Sequence, residues 1–351
     1  MIPSDLRPEP AQLAEIAEIV AQYGRTLRKL ENHRKVCLLE TDAGYKYLKR
    51  TKLAPDDLRF IAEALTYLSQ QGFQTVPLFD PGPAGEPFVE HGPDRYIMTD
   101  WFFSRELDFE APEDLRLAIR YLADFHRCGA GFSPQAQAPA RSVWLNWPAK
   151  LEARLRQMED FRRLAFQEKE HSEFSRLYLR HFEPFYRQGV KSLEALLRSA
   201  YPEVSRKSYE RRDFCHHDYS GRNVLQMNDG GLALVDFDYC LQDLRVHDLI
   251  NLLVRNLKYH DWDPELGRFI VAEYHSGNAL APDETEVLHI LLCWPQEFWQ
   301  VGLQYYYEKL PWPKERFLKK LRRKVIYRHE RNRFLNVFPL ENGVFRWKPA
   351  L

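Results

Sequence analysis

Between residues 36 and 50, apolar and polar side chains fall into two short runs, VCLLET and YKYLKR, joined by Asp42-Ala43-Gly44. This is the pattern of a β-hairpin, two strands meeting at a glycine-containing turn. In the second run the period of two sends Lys46 to one face and Tyr47 and Lys49 to the other. The pattern then turns helical. After the start signals Pro55-Asp56-Asp57, residues Leu58, Ile61, Ala62, Leu65 and Leu68 make one stripe that stops at Gly72. VPLFDP and RYIMTDWF predict two further strands, separated by a Pro/Gly-rich loop over 81–93. From Asp114 onward the chain reads as mainly helical. Leu115, Ile119, Leu122 and His126 share a face of a helix ending near Gly129, and 149–200 predicts long, charged amphipathic helices. LALVDFDYC predicts an apolar strand bearing two acids, HDLINLLVRNL a helix, and 284–335 a helical stretch rich in aromatic rings. The expected architecture is α+β and bilobal: a small β-rich N-terminal lobe with one main helix over 1–98, a hinge over 99–105, and a large α-helical lobe over 106–351.

Composition narrows the class. A chain of 351 residues, 44% apolar and 14% aromatic, has ample material for a packed core. Lys+Arg and Asp+Glu both number 50, so bulk charge gives no argument for a nucleic-acid partner. The dense basic run KERFLKKLRRK is expected to form the solvated face of a helix, with Phe317, Leu318 and Leu321 on its buried side. Cysteines at 37, 128, 215, 240 and 293 are odd in number and contain no C-x-x-C pair. They read as reduced, mostly buried thiols of a cytosolic protein. The start MIPSDLRPEPAQLAEIAEIV lacks the basic and apolar regions of a signal peptide, and no apolar run approaches the ~20 residues of a membrane span. Neither secretion nor a membrane partner is expected.

Chemistry concentrates in CHHDYSGRN and ALVDFDYC. Asn223 follows Asp218 by five residues, and Asp236 closes an apolar run further on. Phosphoryl transfer from Mg-ATP needs such a set: one carboxylate to orient a hydroxyl and accept its proton, an amide oxygen and a second carboxylate to hold Mg²⁺. Upstream, Lys49 on a strand and Glu63 in the middle of the next helix supply the expected phosphate clamp. Thr99-Asp100-Trp101-Phe102 would be the connector whose backbone meets adenine.

The chain resembles the aminoglycoside phosphotransferase/choline kinase superfamily, and within it the spore-coat CotS family of kinase-like proteins, over nearly its whole length. ETDAGYKYLKR, ADFHRCGAGF, CHHDYSGRN, ALVDFDYC and WPQEFWQVGLQYYY carry the resemblance. It implies a protein-kinase-like fold, ATP and Mg²⁺ as cofactors, Asp218 as base, Asn223 and Asp236 as metal ligands, and Lys49 with its partner Glu63 on the phosphates. It also implies Asp248 as a structural anchor of the catalytic loop. Three positions depart from the pattern. His217 stands where such small-molecule kinases usually have glycine, Ser220 where Ser/Thr protein kinases carry lysine, and the phosphate-covering segment LRKLENHRK (27–35) has no glycine, leaving His33 or Arg34 to reach phosphate by side chain.

Each residue also has a plain structural reading. Asp218 and Asn223 taken singly would be turn residues; Lys46, Lys49, Arg50 and Lys52 would be surface lysines and arginines of an edge strand, and Glu63 a solvated helix acid. His216 is expected to brace the loop by hydrogen bonding. Asp238 either tunes the metal or makes a structural salt bridge, and His217 faces either substrate or solvent. Trp294, Phe298, Trp299, Tyr305, Tyr306 and Tyr307 are expected in the core of the helical lobe, or else around an acceptor pocket. The expected function is Mg-ATP-dependent phosphorylation of a hydroxyl on a small molecule or coat component, in the mother-cell cytosol or the coat, with other coat proteins as candidate partners. The alternatives are a kinase-shaped coat scaffold with little turnover and, more remotely, a metal-dependent hydrolase using His216, His217, Asp236 and Asp238.

Overall fold

A computed structural model describes residues 9–33, 36–73, 75–168 and 172–338. Helix α1 (Pro10–Gln22) precedes the expected sheet and opens on a proline, whose missing N–H costs nothing at a first helical position. Its Ile16, Ile19 and Val20 are buried against Leu30, Leu39, Leu48 and Met98. Those partners come from β1 (Leu27–His33), β2 (Val36–Thr41), β3 (Gly44–Thr51) and, past α2 (Pro55–Gln70) and β4 (Val89–His91), from β5 (Asp94–Asp100). The five strands are antiparallel in the order β1-β2-β3-β5-β4. Gly44, at φ 97°, closes the β2–β3 turn. Arg34 and the side chain of His33 lie outside what the structure describes.

The strand expected in VPLFDP does not form. Pro77 and Pro81 lack the N–H a ladder needs, and the segment makes only the single bridge of Phe79 to Thr99. The edge strand β4 instead falls inside the expected loop 81–93, where Gly92 at φ 59° turns it into β5. Within α2, Leu58, Phe60, Ile61, Ala64, Leu65 and Leu68 are buried, close to the predicted stripe, but Ala62 is only half-buried.

Next come β6 (Ser104–Glu106), α3 (Pro112–Gly129), α4 (Trp147–Gln167), α5 (Glu173–Arg198) and α6 (Tyr201–Arg211). β7 (Val224–Met227) and β8 (Leu232–Leu234) complete a small antiparallel sheet ordered β6-β7-β8. The remainder is helical: α7 (Val246–Leu257), α8 (Pro264–Gly277), α9 (Pro282–Cys293), α10 (Gln296–Gly302), a π-helical turn (Leu303–Tyr307), α11 (Lys314–Ile326) and α12 (Arg328–Val337). The fold is thus the expected one, a β-sheet region followed by a mostly helical region. Among the described residues no helix is long and apolar enough to cross a membrane.

Two compact units emerge, Met1–Ser142 with His216–Leu241, and Val143–Cys215 with Gln242–Leu351. The second has a core of stacked rings. Phe298 lies 4.5 Å from Tyr178 and 4.2 Å from Phe185, and Phe161, Phe174 and Phe182 join them. Truncating such a ring typically costs about 3–5 kcal/mol. Trp294, Phe298 and Trp299 are buried as expected, and Tyr305 and Tyr306 pack against the ring core, but Tyr307 is exposed. On α11, Phe317 and Leu321 are buried and Leu318 is half-buried. None of the five cysteines is in a disulfide, and only Cys215 and Cys240 are buried, so the thiols are less sheltered than expected.

Candidate active site

The segment after His216 is built on backbone hydrogen bonds. Asp218 donates its N–H to His216 Nδ1 at 3.2 Å, so the ring proton sits on Nε2, which donates to Val235 O at 3.0 Å. Both nitrogens of this fully buried imidazole therefore brace the loop. His217 takes φ 62°. That left-handed conformation is the physical reason glycine suits the position, and a histidine holds it at a cost of about 1 kcal/mol. The spacing from Asp218 to Asn223 is that of a closed turn. Asn223 Nδ2 donates to Asp218 O at 2.9 Å and to its Oδ2 at 3.2 Å, while its N–H and C=O are fixed by Ser220 O and Val235 N, both at 2.9 Å.

LALVDFDYC is not one continuous strand. β8 stops at Leu234, Asp236 turns back at φ 65°, and Phe237–Tyr239 form a 3₁₀ turn. A continuous strand would carry Asp236 and Asp238 on one face by its period of two; instead a positive φ breaks the pleat, and the turn aims both acids at one cation. Lys49 Nζ meets Asp236 Oδ1 at 2.7 Å and Asp238 Oδ2 at 2.8 Å. Burial pushes the Lys49 ammonium down, but the charges of Asp238 and Asp236 more than reverse this and hold it above the ordinary lysine range. Alternation on β3 places Tyr47 beside Lys49; its ring stacks 6.4 Å from Trp101, and burial pushes its hydroxyl up to about 12.

Glu63 is turned elsewhere. Its Oε2 accepts the backbone N–H of Gln135 at 2.6 Å and of Ala136 at 3.3 Å, fixing a loop after α3. Asp100 gives its carboxylate to Lys46 at 2.7 Å, and the Trp101 N–H is already donated to Tyr45 O at 3.1 Å. Asp248 belongs to the second unit, where it is fully buried in the first turn of α7.

Two structural residues escape the sequence reading. Lys46 is no surface lysine but is buried between Asp80 and Asp100. It shares a strand face with the core residue Leu48, a signal the alternation contained. Arg50 and Lys52 are exposed as expected. Arg141, also buried, donates to Asp57 at 2.6 Å and to the carbonyls of Asp238 and Cys240 at 3.1 and 2.7 Å. It ties the turn that carries both acids to the first turn of α2, and nothing local in ARSVW announces it.

The donors gathered here suit a hard divalent cation. Asn223 spends its Nδ2 on Asp218, which leaves an amide oxygen, and Asp236 commits only Oδ1 to Lys49. Among the described residues, Asp236 and Asp238 gather no third histidine, cysteine or acid at ligating distance, so the donor chemistry is not that of a transition-metal site.

Residues 16–338 match the family described as "Spore coat putative kinase YutH". The chain belongs to that family. Spore coat protein S of Bacillus subtilis (strain 168) is 25% identical to this chain over 333 residues, covering 92% of it and 93% of the relative. Among solved structures, an aminoglycoside phosphotransferase from Alicyclobacillus acidocaldarius superposes with a TM-score of 0.74 at 21% identity, over 95% of this chain and 97% of the other. A spectinomycin phosphotransferase in complex with ADP and spectinomycin superposes with a TM-score of 0.65 at 12% identity, over 90% and 94% of the two chains. At these identities the structures establish a shared kinase-like phosphotransferase fold.

Proposed function

We propose that this protein is a Mg-ATP-dependent phosphotransferase acting on a hydroxyl of a small molecule or spore-coat component. The observation that carries the reading is the convergence of Lys49 on Asp236, in the same unit as the Asp218–Asn223 turn. Bound Mg-ATP supplies the transferable phosphoryl group and a cation that offsets its charge. Asp218, held by Asn223 and His216, orients the acceptor hydroxyl and takes its proton. Asn223 and Asp236 provide the hard oxygens for the metal. Lys49 would hold phosphate oxygens, with Asp238 as its counter-charge. The ADP held by a structural neighbour supports nucleotide binding on this fold, and the relationship to spore coat protein S supports a place in or near the coat.

A second reading, a coat protein of kinase shape with little or no turnover, is favoured by the absence of glycine from 27–35, since glycine lets backbone N–H groups approach phosphates closely. Thermal unfolding with and without Mg-ATP, together with phosphate release, separates the two. For the enzyme, Mg-ATP raises Tm in the wild type but not in Asp236→Ala, and Asp218→Asn keeps that shift while losing roughly a hundredfold or more in turnover. A wild-type Tm indifferent to Mg-ATP defeats both readings as nucleotide binders. Binding with turnover unchanged in Asp218→Asn removes Asp218 as base.

A further inference from the structure

Six cations, Arg255, Lys258, Lys320, Arg323, Lys324 and Arg331, line one cavity of about 390 Å³ in the second unit, against a single acid, Glu297. Lys324 takes that acid as its ion-pair partner. Arg331 is committed to the end of α9, donating to the carbonyls of Leu292 and Trp294 at 2.7 and 3.0 Å. Lys320 donates to the neutral Gln304 Oε1 at 3.3 Å and lies 4.1 Å from the centre of the Trp312 ring. Lys258 and Arg323 lie over the Tyr259 ring, at 5.1 and 4.3 Å from its centre. Among the described residues Lys258 has no ion pair.

Cations crowded around one space repel each other, and a part-buried setting weakens the solvent screening that would relieve them. The repulsion registers on the residues themselves. Burial first, and then Lys324, Arg255 and Arg323 acting against the opposing charge of Glu297, bring the Lys258 ammonium down to about 8. Burial followed by Arg316 and Lys324 lowers Lys320 as well. An anion entering the cavity would relieve this repulsion. The volume lies in the range of small-molecule sites, roughly 300–1,000 Å³. Guanidinium groups match phosphate oxygens in pairs, and the rings of Tyr259, Trp262 and Trp294 line the same space.

We propose that this cavity binds a small phosphate-bearing anion. None of its groups belongs to the phosphotransfer constellation. The phosphate has two chemical sources, an inorganic condensed phosphate or a phosphate carried on a ring, and these are the two arms of the test.

Inorganic pyrophosphate and, separately, ribose 5-phosphate are titrated into the full-length protein at low salt with EDTA, following tryptophan fluorescence and Tm. Saturable binding that raises Tm is expected for at least one probe, and the tighter one identifies the source. Lys258→Gln combined with Arg323→Gln weakens it by about tenfold or more. Lys319→Gln, on the exposed face of α11, binds as the wild type does. Should the double variant lose its native circular dichroism, Lys320→Gln is read in its place, with an expected loss of about threefold. The proposal falls if neither probe saturates or if removing the cavity cations leaves affinity unchanged.

Discussion

Lys49 is gripped by two carboxylates, and this decides which of its candidate partners matters. Asp236 and Asp238 lie at 2.7 and 2.8 Å, whereas Glu63 spends its carboxylate on two loop amides. Substituting Glu63→Gln preserves an acceptor for those amides, so Mg-ATP affinity is expected to stay within about twofold of wild type, while Lys49→Ala loses charge-assisted contacts and about ten- to a hundredfold in affinity. Calorimetric titration of Mg-ATP into the two variants checks this, and an equal loss in both would restore Glu63 as the lysine's partner. The same residues show what a sequence discloses at this scale. Asp218 and Asn223 are legible because their relation is local, one turn closed by its own hydrogen bonds. Lys49 is legible through strand alternation. Glu63 is not, because its partners stand 72 and 73 positions away, at Gln135 and Ala136, and in sequence one helix acid looks like another.

Between elements, the constraint is how closely backbones approach. Gly221, in the turn between Asp218 and Asn223, packs against the segment after β6. A Cβ placed there would sit 2.4 Å from Leu107 O and 3.4 Å from the Phe109 ring. Leu107 cannot simply retreat, since its N–H is bonded to Val224 O at 3.0 Å. Gly221→Ala is therefore expected to cost about 1–3 kcal/mol, seen as a lower urea midpoint, and to reduce phosphate release because the displaced turn carries Asp218. A fully stable, fully active variant would show that the contact yields freely. Helices α2, α3 and α11 were legible at this level because each shows an apolar stripe, joined in α2 by start signals. The strand expected in VPLFDP and the continuous strand expected through Val235-Asp236 were misjudged for backbone reasons, two prolines in one and a positive φ in the other. Apolar patterning reports burial, and these segments are partly buried without being in a ladder.

At the scale of the molecule, the two-region α+β architecture was plain from the change of period along the chain, since a period of two yields to 3.6 near Asp114 and returns only briefly, while its kinase-like character was implied by the resemblance that the motifs carry. How the second unit answers to pH was not, because it depends on groups buried on one helix. On α9, burial and then the Arg331 charge bring the His289 imidazole down to about 4 from its ordinary 6.5. The unfolded chain thus takes up a proton that the fold resists, and stability present above pH 6.5 is lost as pH falls toward 4. Glu284 opens the same helix. Burial opposes its charge, but Arg245, bonded to it at 2.9 and 2.8 Å, and Arg211, at 3.0 Å, prevail and hold it down to about 2 from 4.5. Its contribution is present above pH 4.5 and lost between 4.5 and 2. Each group accounts for about 3 kcal/mol across its window. Urea unfolding of the full chain, followed by tryptophan fluorescence at pH 7, 5 and 3.5, should show the midpoint dropping at each step. His289→Gln should flatten the step from 7 to 5. Glu284→Gln should lower the midpoint at pH 7, because it strips the charged partner from two arginines, and flatten the step below 5. A midpoint that does not move with pH in the wild type would mean that α9 carries no such load.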